Sequence, residues 1–227
     1  EDDVIPTEQE YFIVVIPVND PPVIISSPLI SELVVDNTFY YQILVEDIDD
    51  NEISKIATQS GAEVIIRPAD ISDDNATTES AIIHVLEKLK TEEGYLPDII
   101  VLLQATSPLR KNNDIDKSIK QFIDKNADSL ISGSKFEDFL FWEKQVEKWK
   151  AINYNPNNRM RRQDRKPQFV ENGSIYMFKP EILYKFNNRI GGKMVLYEME
   201  FWQTWEIDTY DEVDLLSFYY KKHLNEG

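Results

Sequence analysis

Cysteine is absent from the 227 residues, which excludes a disulfide framework, a thiolate metal site and a cysteine nucleophile. Any metal must therefore sit mainly on carboxylates. Long apolar runs are missing too. The longest, such as residues 99–103 and 12–18, fall far short of the roughly 20 residues that a membrane span needs. No basic start followed by an apolar stretch marks a signal peptide, so the chain reads as soluble and cytoplasmic, without a membrane partner. Positive charge is the third scarcity. With 24 Lys and Arg against 41 Asp and Glu, a net charge of -17 argues against nucleic acid, which demands clustered cations. Residues 1–52 carry 13 acids and no Lys or Arg, whereas residues 53–227 carry the other 28 acids and all 24 bases. The first glycine is Gly61. Such a compositional step marks a domain junction or tail. It divides the chain into an acidic, β-rich segment, residues 1–48, and a second unit, residues 49–227.

In the first segment, alternation and β-branched enrichment predict strands at residues 11–18, 22–25 and 39–45. Asn19-Asp20-Pro21-Pro22 and Asp36-Asn37 supply the turns. The run Val18-Asn19-Asp20-Pro21-Pro22-Val23 and the later Val45-Glu46-Asp47-Ile48-Asp49-Asp50-Asn51 resemble the junctions of bacterial cadherin-like and immunoglobulin-like repeats. Calcium takes hard oxygen ligands, so Asp20, Asp47, Asp49 and Asp50 are its candidates; a solvated acidic turn fits the same residues. About 50 residues do not complete such a sandwich.

From Asn51 the period turns helical, with Ile53, Ile56 and Ala57 in one segment and Ile82, Ile83, Val85, Leu86 and Leu89 in another. Residues 62–66 and 98–103 read as buried strands, 115–126 as a helix and 129–132 as a further strand. This alternation predicts an α/β fold with a mostly parallel sheet and flanking helices. Ligands of such sheets collect beyond the carboxyl ends of the strands. The residues just after Leu103 are therefore the first place to seek a site.

Those residues are Gln104-Ala105-Thr106-Ser107-Pro108-Leu109-Arg110, and an amide with two hydroxyls suits a sugar or base without repelling an anion. A strand end followed by a helix N-cap also fits. Further along come Arg161-Arg162-Gln163-Asp164, Glu171-Asn172-Gly173-Ser174-Ile175-Tyr176 and Trp205-Glu206-Ile207-Asp208-Thr209. The four stretches, in this order, resemble the LQPTSPLR, RRQD, ENGAIY and DIDT segments of the acylneuraminate cytidylyltransferases (CMP-sialic acid synthetases). Ala105 stands where that family has Pro, and Glu206 where it usually has Asp. The resemblance covers roughly residues 49–220. It implies a Rossmann-like nucleotidyltransferase sheet and the joining of CTP to a sialic-acid-like nine-carbon sugar acid, with release of pyrophosphate.

Nucleotidyl transfer is mostly positioning and charge neutralisation. By resemblance, Glu206 and Asp208 hold magnesium, Arg162 and Asp208 are catalytic, and Gln104, Thr106, Ser107, Arg162, Asn172 and Gly173 bind substrate. On a strand, Glu206 and Asp208 would point the same way; an acidic helix N-terminus is the competing reading. The run holding Arg159, Arg161, Arg162, Arg165 and Lys166 predicts an anionic ligand, or else a solvated basic loop. Residues 136–149 interleave aromatics with charges, which suggests an interface, and the family implies a homodimer; core aromatics also fit. The family's Gly-rich phosphate loop has no match, because residues 1–48 contain no Gly, Lys or Arg. An inactive or truncated chimera, a calcium-binding adhesion module with a sugar-binding α/β domain, and a sugar-acid binder without transfer therefore stand beside the enzyme reading.

Overall fold

A computed structural model of the chain describes residues 11–16, 43–44, 51–59, 62–66, 68, 77–137 and 139–224. Their centre is a six-stranded sheet in the order β2-β1-β3-β7-β4-β8. The strands are β1 (Tyr11–Ile16), β2 (Ile43–Leu44), β3 (Ile99–Gln104), β4 (Ser129–Phe136), β7 (Gln168–Phe178) and β8 (Met194–Met199). β1 runs parallel to both β2 and β3, and β4 runs parallel to β8, but β7 is antiparallel to both of its neighbours. A separate antiparallel hairpin pairs β5 (Trp142–Lys144) with β6 (Trp149–Ala151). The α/β class expected from the alternation is the one observed.

Helices α1 (Asn51–Gln59), α2 (Thr78–Glu92), α3 (Asp114–Asp124), α4 (Pro180–Phe186) and α5 (Tyr210–His223) follow the apolar periodicity. Thr77 caps α2, its side-chain oxygen accepting the Ser80 N–H at 3.1 Å. Two cores form because β3 is buried on both faces. Ile100 and Leu102 meet Ile82, Leu86 and Leu89 of α2 with Tyr176, Phe178 and Leu183. The alternate residues Ile99, Val101 and Leu103 meet Phe122 of α3 with Leu130, Ile175 and Met177. This period-two division gives β3 its continuous apolar sequence and fixes where its carboxyl end emerges.

Two local expectations differ. Residues 62–66 form no strand, although Ala62 and Ile65 are buried; a β-branched run signals burial as readily as pairing. Residues 205–207 are likewise unpaired and link a 3-10 turn, Phe201–Thr204, to α5. Strands expected at residues 11–18 and 39–45 appear in part as β1 and β2, whereas residues 22–25 lie outside the described residues.

Candidate active site

Three chain segments close on one point beyond the carboxyl end of β3. Gln104 ends that strand, and the chain turns so that the Ser107 N–H donates to the Gln104 carbonyl at 3.3 Å. The second segment is a bulge in β7. Pairing with β4 passes from Ile131 opposite Tyr176 to Gly133 opposite Glu171, so β7 takes five residue steps against two. Ser132 fills the break: its hydroxyl donates to Asn172 Oδ1 at 2.6 Å and accepts the Ile175 N–H at 2.7 Å. The bulge holds Gly173 at φ 64°, a left-handed conformation that favours glycine. The third segment is the link into α5, anchored by the Ile207 N–H donating to the Thr106 carbonyl at 2.8 Å.

A Cβ placed on Gly173 would meet Glu206 Oε1, would lie 2.5 Å from Gln104 Oε1 and would lie 3.1 Å from Ser107 Oγ. Carboxylate, amide and hydroxyl are thus packed directly over the Gly173 backbone, where no side chain fits. Arg110 braces the strand end and the bulge. Its Nη2 donates to the Gln104 carbonyl at 2.7 Å, and Nε and Nη2 donate to the Ser174 carbonyl at 3.2 and 3.1 Å. Burial lowers its pKa to about 10, against the opposing charge of Asp114.

Electrostatics single out Glu206. Its carboxyl is raised above the usual range, first by burial and then by Asp208, with smaller contributions from Glu171 and Glu212; the Ser107 hydroxyl pulls the other way. Two carboxylates held close enough to repel form a site that a divalent cation relieves. Magnesium takes one or two carboxylates and completes its shell with phosphate oxygens and water, so the chemistry of Glu206 and Asp208 fits it. No group of three or more His, Asp or Glu placed to hold a metal occurs among the described residues. The backbone at Asp208 is fixed by a capping box: the Asp208 and Thr209 N–H groups donate to Glu212 Oε2 at 2.6 and 2.7 Å.

Of the residues singled out in the sequence, Gln104, Ser107, Gly173 and Glu206 therefore converge, with Asp208 within electrostatic reach. Thr106 contributes its carbonyl as the anchor for Ile207. Asn172 stands apart from them: it is 1% exposed, and its Nδ2 donates inward to the Gln203 carbonyl at 3.2 Å and to Met199 Sδ at 3.3 Å. Arg162 lies in an exposed 3-10 turn, Arg162–Asp164, where Nε donates to Glu137 Oε2 at 2.8 Å and Nη2 reaches the same oxygen. Asp20, Asp47, Asp49 and Asp50, the calcium candidates, lie outside the described residues.

Sequence reasoning passed over several residues that shape the site. Ser132 carried a signal, a hydroxyl between apolar neighbours in a buried strand. Glu171 carried only its place at the head of the stretch 171–176: it accepts the Tyr176 hydroxyl at 2.6 Å, and the Arg189 guanidinium lies 4.5 Å above the Tyr176 ring. Burial, then Glu171, pushes the Tyr176 hydroxyl up to about 12.

N-acylneuraminate cytidylyltransferase A of Danio rerio is 29% identical over 193 residues, covering 82% of this chain and 43% of that protein. The chain thus spans less than half the length of that relative. Post-translational flagellin modification protein B of Campylobacter coli is 26% identical over 190 residues, covering 82% of this chain and 80% of that protein. Among solved structures, a CMP:2-keto-3-deoxy-manno-octonic acid synthetase complexed with CTP superposes with a TM-score of 0.58 at 11% identity, covering 94% of this chain and 99% of the other. That likeness is one of fold. The family model described as cytidylyltransferase matches residues 24–221, reaching well upstream of residue 49 where the motif resemblance begins, and the chain belongs to the cytidylyltransferase family.

Proposed function

We propose that this chain transfers CMP from CTP to a sialic-acid-like sugar acid, releasing pyrophosphate. The observation that carries the reading is the meeting of Gln104, Ser107, Gly173 and Glu206 at the carboxyl end of β3. The nine-carbon acceptor is supported by the relative named N-acylneuraminate cytidylyltransferase.

In this reading the left-handed Gly173 lets Gln104 and Glu206 close directly over its backbone, and the Gln104 amide and Ser107 hydroxyl offer neutral hydrogen bonds to a substrate's polar atoms. Glu206 and Asp208 would hold magnesium, which supplies charge neutralisation at the α-phosphate. Arg162 and its basic neighbours, exposed on their turn, offer forked donors to carboxylate or phosphate. Capture of an anion there requires Arg162 to leave Glu137, an exchange between exposed partners that costs little. The exposed aromatics Phe139, Phe141, Trp142 and Trp149 on and beside the β5–β6 hairpin would face a second copy in a homodimer.

The test is pyrophosphate release from CTP with magnesium and N-acetylneuraminate or related acidic sugars. Acceptor-dependent release is expected. Its absence across the acceptors, at high enzyme concentration, overturns the reading. A second reading rests on the lack of Gly, Lys and Arg in residues 1–48, where the family's phosphate loop found no match: a protein that binds the sugar acid without transfer. Calorimetric binding of the acid without pyrophosphate release would select it.

A further inference from the structure

The three motif segments that meet at Gly173 are joined through one buried residue outside those already given roles. Gln203 is 2% exposed and sits three positions before Glu206. Its Nε2 donates to the Leu109 carbonyl at 2.9 Å, in the loop after β3, and to Asp114 Oδ2 at 2.7 Å, in the first turn of α3. Its Oε1 accepts the Glu200 N–H at 3.1 Å and closes a capping box on its own 3-10 turn. Its main-chain carbonyl accepts the Asn172 Nδ2 at 3.2 Å, on the residue next to Gly173. A single glutamine thus bonds to the loop, the bulge and the turn that leads to Glu206.

Its partners are equally committed. Asp114 is 5% exposed; its Oδ2 also accepts the Lys111 N–H at 2.7 Å, and its Oδ1 accepts the Tyr197 hydroxyl at 3.0 Å. Asn172 Oδ1 accepts from Ser132. A buried network with this many satisfied members stays only where its geometry is needed or where it specifies the fold, because an apolar core would be simpler to stabilise. Two of its branches end beside the groups packed over Gly173: Leu109 follows Ser107 by two residues, and Asn172 adjoins Gly173 itself.

We propose that Gln203 is the positioning residue of the site. Through Asn172 and Asp114 it fixes the distance between the β7 bulge and the Glu206–Asp208 pair, so that the two carboxylates are held ready for a divalent cation. This rests on the proposed assignment of that pair as the metal site. Asn172, in consequence, acts through Gln203 rather than by touching substrate.

Manganese serves as the probe, since its binding is read by electron paramagnetic resonance without any turnover. Wild-type protein, Gln203→Met and Asn172→Ser are titrated with Mn²⁺, and the folded fraction of each is set by urea unfolding. Supporting groups around metal ligands typically change affinity by about 10 to 100-fold when removed. Gln203→Met, which removes the side-chain bonds to the Leu109 carbonyl, Asp114 and the Glu200 N–H but keeps the main-chain bond to Asn172, is expected to weaken Mn²⁺ binding per folded molecule by about tenfold. Asn172→Ser, which cuts one branch and keeps the glutamine, should weaken it less, and keeps the test alive if Gln203→Met does not fold. In turnover, both should lower kcat more than they raise KM for the sugar acid. Wild-type binding with unchanged Mn²⁺ affinity in a folded variant overturns the positioning role while leaving the metal assignment standing. A wild-type protein that binds no Mn²⁺ overturns that assignment and the inference with it.

Discussion

Two motif-bearing regions of the chain have similar sequence signals and opposite physical settings. The segments around Gln104, Gly173 and Glu206 are braced from below by buried bonds from Arg110, Ser132 and Gln203. Arg161 and Arg162, in the basic run, are exposed and held by surface ion pairs, Arg162 to Glu137 and Arg161 to Asp164. The first region suits positioning, because its groups cannot relax toward a poor geometry. The second suits capture: exposed cations attract an anion from a distance but lose side-chain freedom when they engage it. The difference implies that substitutions in the braced region should act on kcat and stability, and those in the exposed region on KM.

The strongest break of that comparison is Gly173→Ala. The new methyl meets Glu206 and Gln104, and the left-handed backbone disfavours any side chain. We expect loss of turnover by more than about a hundredfold together with a lower urea midpoint, on the order of 2 kcal/mol; unchanged activity would mean that the packing of Gln104 and Glu206 over Gly173 does not serve turnover. Next comes Glu206→Gln, for which activity and stability should move in opposite directions. Folding raises the Glu206 pKa, so the charged carboxylate costs stability at neutral pH, and the cost fades as pH falls through the folded value. A neutral amide never incurs it. Turnover and Mn²⁺ binding should fall, while the unfolding midpoint at neutral pH rises and the gain shrinks on acidification. For wild-type protein the same shift predicts metal binding lost on acidification at a higher pH than an ordinary glutamate would give, which a Mn²⁺ titration across pH 4 to about 7 would read.

Arg162→Lys sharpens the other half. A lysine keeps the charge but loses the fork, so KM for the sugar acid should rise about tenfold with little change in kcat. Its unfolding midpoint should stay where it is, because the Glu137 pair is exposed. Arg161→Ala, which breaks only an exposed pair, is the smallest: no resolvable change in unfolding is expected.

Much of this division was legible in the residues, and for uneven reasons. The apolar sequence of β3 gave away a strand buried on both faces, and the residues just past it proved to be where the segments meet. Glycine in Glu171-Asn172-Gly173 marked a close approach, which its positive φ explains. What stayed hidden depended on contacts between distant segments. Asn172 was expected at the substrate by resemblance; its side chain turns inward to Gln203 and Met199, because a bulge turns consecutive side chains in ways that strand alternation does not anticipate. Glu206 and Asp208 were expected to share a strand face; they lie instead on an unpaired link, and their mutual influence comes from its anchoring at Thr106 and Glu212. Gln203 and Asp114 are polar residues at a turn and a helix start, positions where such residues are ordinary. Nothing local distinguishes them from surface groups.

The place of β1 has a practical meaning for anyone trimming this protein. Its backbone runs the full length of β3, from Tyr11 opposite Ile99 to Ile16 opposite Gln104. The compositional step near residue 49 tempts one to begin expression there. Doing so would strip one side of β3 and leave a row of unanswered amides and carbonyls on one of the most apolar strands in the molecule, an open template for self-association. A shortened protein of that kind should precipitate or form strand-paired aggregates, and its silence in an assay would then report solubility rather than chemistry.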